Sequence, residues 1–301
     1  MSSYLELSAR GRIPHIFDAG SFEEFLPPAA RIVSPHLAQL DAPVSFDDGV
    51  VVGRGLLDGQ VVFGAAQEGG FMGGAVGEVH GAKLVGMLGR AVSEGAHAVL
   101  LLLESGGVRL HEANAGLIAV SEVMRAILDV RAAGIPVIVA VGGANGCFGG
   151  MGIAARCANT VIMSEEGRLA MSGPEVIETA NGVEEFDSKD RALVWRTTGG
   201  KHRYLLGDCQ VLVADDTDAF RAAAIAAIAD ARGGAALTLA ALQAEQAMLE
   251  RRIRDFGDAV DPLEVWRRLG VPEPAAVPML EADAFLAMAA RYRAGPGTGE
   301  N

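Results

Sequence analysis

Continuous apolar stretches with no polar alternation predict buried strands in this chain. They lie at 97–103 (HAVLLLL), 135–143 (IPVIVAVGG) and 209–215 (CQVLVAD). Between the first two, residues 111–134 place apolar positions at helical spacing, which predicts a long amphipathic helix. Apolar strands that alternate with helices are typical of a sheet covered on both faces. The pattern therefore predicts an α/β fold.

Weaker patterns fill in the rest of the chain. Two strands are expected within 49–67, joined at Asp58-Gly59, a dipeptide that favours a hairpin turn. Pro174 suits the start of a helix. The chain after Thr217 is expected to be entirely helical. Residues 222–231 have a small-residue face that would allow close packing, either against a partner or within the chain. The remaining expected elements are a helix at 79–95, short strands at 159–163 and 168–171, and a glycine-rich loop that runs into a helix at 144–158.

Three regions are expected along the chain. Residues 1–43 form an irregular entry segment with proline turns, and residues 44–275 form the main domain, including C-terminal helices from about 217. Residues 276–301 form a last helix and a tail whose end is expected to be disordered.

Composition and charge exclude several classes of function. The chain has 301 residues, a net charge of −13 and only three cysteines. Such an acidic chain offers no general surface for nucleic acid or an anionic membrane, and the cysteine spacing predicts neither disulfides nor a zinc site. No apolar run approaches a membrane span and no signal peptide is visible, so a cytoplasmic protein without a metal is expected.

Two glycine pairs are the strongest candidates for chemistry. Gly106-Gly107 and Gly149-Gly150 each follow a buried strand and open into a helix. Glycine allows close approach to the main chain, and a helix N-terminus presents unpaired amides. Two such loops on neighbouring strands could direct two amides at one oxygen, which is the geometry of an oxyanion hole. The alternatives are simple tight turns or, less favoured, a phosphate-binding loop.

A basic cluster follows later in this acidic chain. Lys201, His202 and Arg203 are consecutive and come after two glycines. They could contact a phosphate or a substrate carboxylate, or they could form a solvated loop.

Several segments resemble the carboxyltransferase branch of the crotonase superfamily, over roughly residues 8–230. The segment ESGGVRLHEA (104–113) is the most specific, and the others are SARGRIPHIFDAGSFEEF, GVVVGRGLLDGQVVFGAAQ, GGAVGEVHGAKLV, GGANGCFGGMGIA and RLAMSGPEVIE. The resemblance implies a ClpP/crotonase fold of stacked ββα units with C-terminal helices. Within that branch the chain is most similar to the beta-subunit family of malonate decarboxylases. It has no zinc ribbon, it has one crotonase-like unit, and it carries Glu175 where carboxyltransferases tend to have a basic residue.

That resemblance implies a reaction and a set of partners. A beta subunit pairs with a homologous gamma subunit and decarboxylates a malonyl thioester on an acyl-carrier protein, while an acyltransferase alpha subunit exchanges acetyl for malonyl. The carrier arm is of the phosphopantetheine type, with coenzyme A as an alternative handle, and no covalently bound cofactor is expected. Alternatives are a biotin-linked carboxyltransferase, a non-catalytic subunit that shapes a partner's site, and a hydratase.

Loss of CO2 from such a thioester leaves an enolate, whose oxygen needs hydrogen-bond donors. The amides of Gly106-Gly107 and Gly149-Gly150 are the expected donors, without a choice within each pair. Glu175 is the candidate proton donor, or else a helix-dipole partner. Ser105, Arg109 and the basic cluster are expected to bind the substrate. Arg109 could instead orient the loop or contact the partner subunit.

Overall fold

A mixed sheet lies at the centre of the computed structural model, which describes residues 2–234 and 236–294. In these residues the sheet has seven strands whose spatial order follows the chain. The first three strands are antiparallel, and the third to the seventh are parallel. The strands are β1 (Glu23–Glu24), β2 (Val50–Leu57), β3 (Gln60–Gln67), β4 (Ala98–Leu103), β5 (Val137–Val141), β6 (Thr160–Ser164) and β7 (Val211–Val213).

Helices cover both faces of this sheet and continue beyond it. The predicted helical C-terminal region is present as four separate helices. The helices are α1 (Ala9–Ile16), α2 (Glu78–Ser93), α3 (Ala113–Ala132), α4 (Gly149–Arg156), α5 (Pro174–Asn181), α6 (Arg191–Thr198), α7 (Gly200–Leu206), α8 (Thr217–Ala231), α9 (Leu239–Phe256), α10 (Pro262–Arg268) and α11 (Ala282–Ala289).

The central strands bury side chains on both faces, as their unbroken apolar runs predict. In β4, Leu101 and Leu103 belong to the core under α2, α3 and α4, whereas Leu100 and Leu102 belong to the core under α1 and α8. Successive strand residues point to opposite faces, so a covered strand needs apolar residues at every position. The small-residue face of α8 lies against the sheet, with Ala224 buried, and is therefore an intrachain contact.

The hairpin between β2 and β3 turns where the sequence predicts it. Leu57 pairs with Gln60, and the two turn residues have positive φ angles, 52° at Asp58 and 71° at Gly59. Two positive φ angles give a turn whose twist matches that of the flanking strands.

Two expectations about local structure are wrong. Residues 1–43 are not wholly irregular, because α1 forms there with a Ser8 side chain that accepts a hydrogen bond from the Gly11 amide. Residues 168–171 form no regular strand, since Arg168 and Leu169 make only isolated bridges. Most of the tail expected to be disordered lies outside the described residues. None of the described helices is both long and apolar enough to cross a membrane.

Candidate functional site

The two glycine pairs lie side by side at one edge of the sheet. Because β4 and β5 are parallel neighbours, the loops that follow them emerge at the same edge. The loops are joined by main-chain hydrogen bonds from the Ser105 amide to the Gly146 carbonyl (2.8 Å) and from the Phe148 amide to the Ser105 carbonyl (2.7 Å). A Cβ atom added at Gly149 would stand 2.9 Å from the Cα atom of Gly107. The loops are therefore in van der Waals contact.

Most of the amides expected as donors already have acceptors. The Gly106 amide donates to the Gly73 carbonyl (2.7 Å), and the Gly149 amide donates to the Met171 carbonyl (2.9 Å). The Gly107 amide donates to the Ser105 hydroxyl (3.1 Å). Three of the four amides are thus engaged within the protein, and the Gly150 amide is the one of these four that has no acceptor in the described residues.

The amides that directly follow the two contacting glycines, those of Val108 and Gly150, have no acceptor in the described part of the chain. Val108 bridges to Val76, but that bridge uses the amides of Val76 and Arg109. Gly150 lies in the first turn of α4, where helix geometry supplies no acceptor. One free amide therefore follows each contacting glycine directly: Val108 follows Gly107, and Gly150 follows Gly149. Sequence reasoning missed Val108 because its side chain carries no chemical signal.

Glycine is needed at the contact itself for a conformational reason. Gly107 has a φ angle of 125° and Gly149 one of 58°. Side chains disfavour both conformations, and the close approach of the loops leaves no room for a Cβ atom at Gly149. The glycines are therefore required by the tight turns, and their role in an oxyanion site stays a prediction.

Ser105 stabilises the first loop from within. Its side chain is fully buried, and its hydroxyl accepts from the Gly107 amide and lies 3.3 Å from the Gly107 carbonyl. This hydroxyl is engaged inside the protein, so the expected substrate contact by Ser105 is not supported.

Arg109 anchors the same loop to distant parts of the chain. One guanidinium nitrogen lies 2.9 Å from the carboxylate of Asp48 and 3.0 Å from that of Glu112, and no part of this side chain is exposed. Glu112 in turn accepts from the Glu78 amide at the start of α2 (2.5 Å). The substrate contact expected of Arg109 is therefore corrected to the alternative role, orientation of the loop.

Burial works to raise the pKa of the Glu112 carboxyl. The hydrogen bonds from the Glu78 amide, Ser34 and Arg109 outweigh burial and hold this pKa below its usual value. The carboxylate therefore stays charged and keeps its contact with Arg109.

The basic cluster is helical and its side chains diverge, so neither a joint anion site nor a solvated loop is present. Lys201 pairs with Glu165 (2.7 Å), and Arg203 pairs with Asp208 (3.2 Å). His202 is buried and accepts from the Trp266 indole (3.1 Å). The three side chains thus have separate internal partners, which corrects the expectation of a shared substrate contact.

Burial, together with the neighbouring Arg203 charge, lowers the pKa of His202 to about 3. This imidazole is therefore neutral at physiological pH. Of the three consecutive residues, only Arg203 lines a cavity of about 200 Å³ beside α4, together with Ile153 and Met171.

Glu175 lies in the first turn of α5, which begins at Pro174 as predicted. Its side chain is exposed. It follows Met171, whose carbonyl accepts the Gly149 amide, by four residues. The carboxylate is therefore free to approach a ligand, and its proposed role stays a prediction.

Several large apolar side chains on the glycine loops and on the segments that follow them in the chain are exposed, and we call this set the apolar rim. These side chains are far more exposed than large apolar groups usually are in a folded domain, with Leu110 88% exposed. The members of the rim are Leu110, Leu117, Ile118, Ile153, Met171 and Val176. Sequence reasoning missed the rim, although Leu117 and Ile118 lie out of phase with the buried face of α3. In the described residues no cluster of three His, Cys, Asp or Glu side chains could hold a metal ion.

Comparison with known proteins agrees with this architecture. The model of the carboxyl transferase domain family matches residues 6–228. Malonyl-S-ACP:biotin-protein carboxyltransferase MADC of Malonomonas rubra is 41% identical over 97% of this chain and 97% of its own length. The acetyl-coenzyme A carboxylase carboxyl transferase subunit beta of Fusobacterium nucleatum is 32% identical over 58% of this chain and 59% of its own length.

Solved structures give the same result. A chain of a Pseudomonas malonate decarboxylase hetero-tetramer, crystallised in complex with malonate, is 42% identical with a TM-score of 0.80, covering 89% of this chain and 97% of that one. The transcarboxylase 12S subunit is 30% identical with a TM-score of 0.60, covering 72% of this chain and 40% of that one. The crotonase-like fold class and the resemblance expected from the sequence are confirmed. The chain belongs to the carboxyl transferase domain family of the crotonase superfamily.

Proposed function

We propose that this chain is the beta-type subunit of a malonate decarboxylase. It removes CO2 from a malonyl thioester and leaves the acetyl thioester. The names of two relatives, one acting on malonyl-S-ACP and one a malonate decarboxylase, support the substrate and the reaction. The observation that carries the proposal is structural: two loops are in contact, and in each the amide directly after the contacting glycine, at Val108 and at Gly150, is free.

The reaction needs charge stabilisation more than a base. The bond between the carboxylate carbon and C2 breaks, CO2 leaves, and the electron pair forms an enolate whose charge lies on the thioester oxygen. The amides of Val108 and Gly150 donate to that oxygen, and each such donor contributes about 2.7–4 kcal/mol to transition-state stabilisation. Because neither amide has a protein acceptor, neither must break a hydrogen bond to serve.

The reaction ends with proton delivery to C2. Glu175 is the proposed donor, since it is an exposed carboxyl close in sequence to Met171, which contacts α4. The substrate is carried on the phosphopantetheine-type arm of an acyl-carrier protein, with coenzyme A as the alternative handle. No covalently bound cofactor is part of the proposal.

The apolar rim supports a partner over the site. We assign the rim to a homologous gamma subunit, consistent with the hetero-dimeric and hetero-tetrameric relatives from Pseudomonas. Exposed apolar patches of this kind mark interaction surfaces in otherwise polar proteins. An acyl-carrier protein and an acyltransferase alpha subunit complete the proposed assembly.

A second function is favoured by one specific observation, the identity of the Malonomonas relative as a malonyl-S-ACP:biotin-protein carboxyltransferase. In that case the carboxyl group would be transferred before it is released as CO2. The two activities share the enolate intermediate and would use the same two amides. The two loops are therefore compatible with both activities.

Reconstitution of the complex with its neighbouring gene products tests the proposal. We expect CO2 release from a malonyl thioester that excess avidin does not inhibit. Strong inhibition by avidin would favour the biotin-linked activity instead. A complex that releases no CO2 from a malonyl thioester, with or without a biotin protein, would refute both. Full activity after the substitution Gly150→Trp would show that the chain only shapes its partner's site.

A further inference from the structure

One buried carboxylate connects the two glycine loops. Glu104 directly precedes the first loop and is only 4% exposed. One of its oxygens accepts from both the amide and the side-chain nitrogen of Asn145, each at 3.0 Å. The other oxygen lies 2.5 Å from the Arg12 guanidinium of α1. The side chain thus joins three segments that are far apart in sequence.

The surrounding backbone is built around this carboxylate. A Cβ atom at Gly69 or at Gly143 would stand 2.2 Å from an oxygen of Glu104. Glycine at both positions lets the main chain close on the carboxylate, which otherwise would find no room there. Asn145 lies in the turn that leads directly to Gly149 and Gly150. Through its hydrogen bonds with Asn145, Glu104 therefore holds the second loop in place from the start of the first loop.

We propose that Glu104 is a positioning residue that sets the spacing between the Val108 and Gly150 amides. The inference rests on the proposed function for its catalytic consequence, although the connection between the loops is a property of the fold. Backbone bonds between Ser105 and the second loop fix the contact at one point, and the carboxylate adds a second point. Two points of attachment prevent rotation of one loop against the other, and such rotation would separate the donors.

The partner of Glu104 must be removed with it in any test. A lone substitution would leave the Arg12 guanidinium buried without its carboxylate, which destabilises the whole fold. We therefore compare two double variants in the full complex. Arg12→Met with Glu104→Leu removes the charge pair and the contact with Asn145, and Arg12→Met with Glu104→Gln removes the charges but keeps an acceptor for Asn145.

The expected kinetic result is a split between kcat and KM. The leucine double variant should lose 10- to 100-fold in kcat with KM changed less than threefold, because the donors act on the transition state. The glutamine double variant should recover most of that loss. As a matched control, Arg221→Met with Asp18→Asn breaks another ion pair of the N-terminal segment without touching the loops and should leave kcat unchanged. An active leucine variant with wild-type kcat would overturn the inference.

Hydrogen exchange gives a second readout that does not depend on activity. The leucine double variant should exchange amides faster in both 104–110 and 143–152, and the glutamine variant should not. Unchanged exchange in 143–152 would overturn the inference whether or not the complex is active. A wild-type complex that does not decarboxylate malonyl thioesters would instead refute the proposed function, and exchange would still decide the role of Glu104.

Discussion

Replacing the Gly150 amide by an ester separates catalysis from folding at a single atom. Incorporation of glycolate at position 150 removes the N–H group and adds no side chain. An ordinary substitution would be less informative, because a Cβ atom at Gly150 would stand 2.5 Å from a methyl carbon of Val120. The ester therefore tests the proposed donor without altering the packing of α4 against α3.

The expected magnitudes follow from the hydrogen bonds. The Gly150 amide has no acceptor in the described structure, so its loss should lower the free energy of unfolding by less than about 1 kcal/mol. If the amide stabilises the enolate oxygen, kcat should fall about 10²–10³-fold, which corresponds to about 2.7–4 kcal/mol. The ester should therefore raise the activation free energy of the reaction by more than it lowers the free energy of unfolding.

An ester at Gly149 is the matched control. Its amide donates to the Met171 carbonyl at 2.9 Å, so this ester should cost about 0.5–1.5 kcal/mol of stability. Its kcat should change less than tenfold, because that amide is already engaged. The measurements are CO2 release by the reconstituted complex and denaturant unfolding of each variant. If the ester at Gly150 keeps kcat within threefold of wild type, Gly150 is not an oxyanion donor.

Other predictions concern stability, pH and proton delivery. Arg109→Met leaves two buried carboxylates without their cation and should lower the free energy of unfolding, measured with denaturant, by about 3–5 kcal/mol. Arg125→Met removes an exposed ion pair and should lower it by less than about 1 kcal/mol. Equal losses in the two variants would contradict the buried network. Burial and the Arg203 charge lower the pKa of His202 from 6.5 to about 3, so between these pH values the unfolded state binds one proton more than the folded state. The free energy of unfolding should therefore rise with pH across this range, by up to about 1.4 kcal/mol per pH unit. His202→Gln should flatten that slope, and parallel stability curves for the wild type and this variant would contradict the prediction. Glu175→Gln should lower kcat at least about 10²-fold and leave Tm unchanged. The control Glu184→Gln should leave kcat unchanged. A wild-type kcat in the Glu175→Gln complex would show that Glu175 is not the proton donor.

Local sequence patterns determined much of this fold. The apolar runs of β4 and β5, the hairpin at Asp58-Gly59 and the helix start at Pro174 each depend on residues close together in the chain. Periodicity, turn chemistry and burial act over such short windows, so they can be read without the fold. The glycine pairs on neighbouring strands also predicted that the two loops would lie side by side.

Only the tertiary structure decided which groups are free to act. The Gly106 amide is taken by Gly73, and the Arg109 guanidinium by Asp48, which is 61 positions away. Hydrogen bonds and ion pairs of this kind form between segments whose proximity no local pattern encodes. Arg109 therefore looked like a substrate contact although it is buried, and Val108 carried no signal although its amide is free. The sequence determined where the two loops would lie, and long-range pairing determined which of their amides remained available.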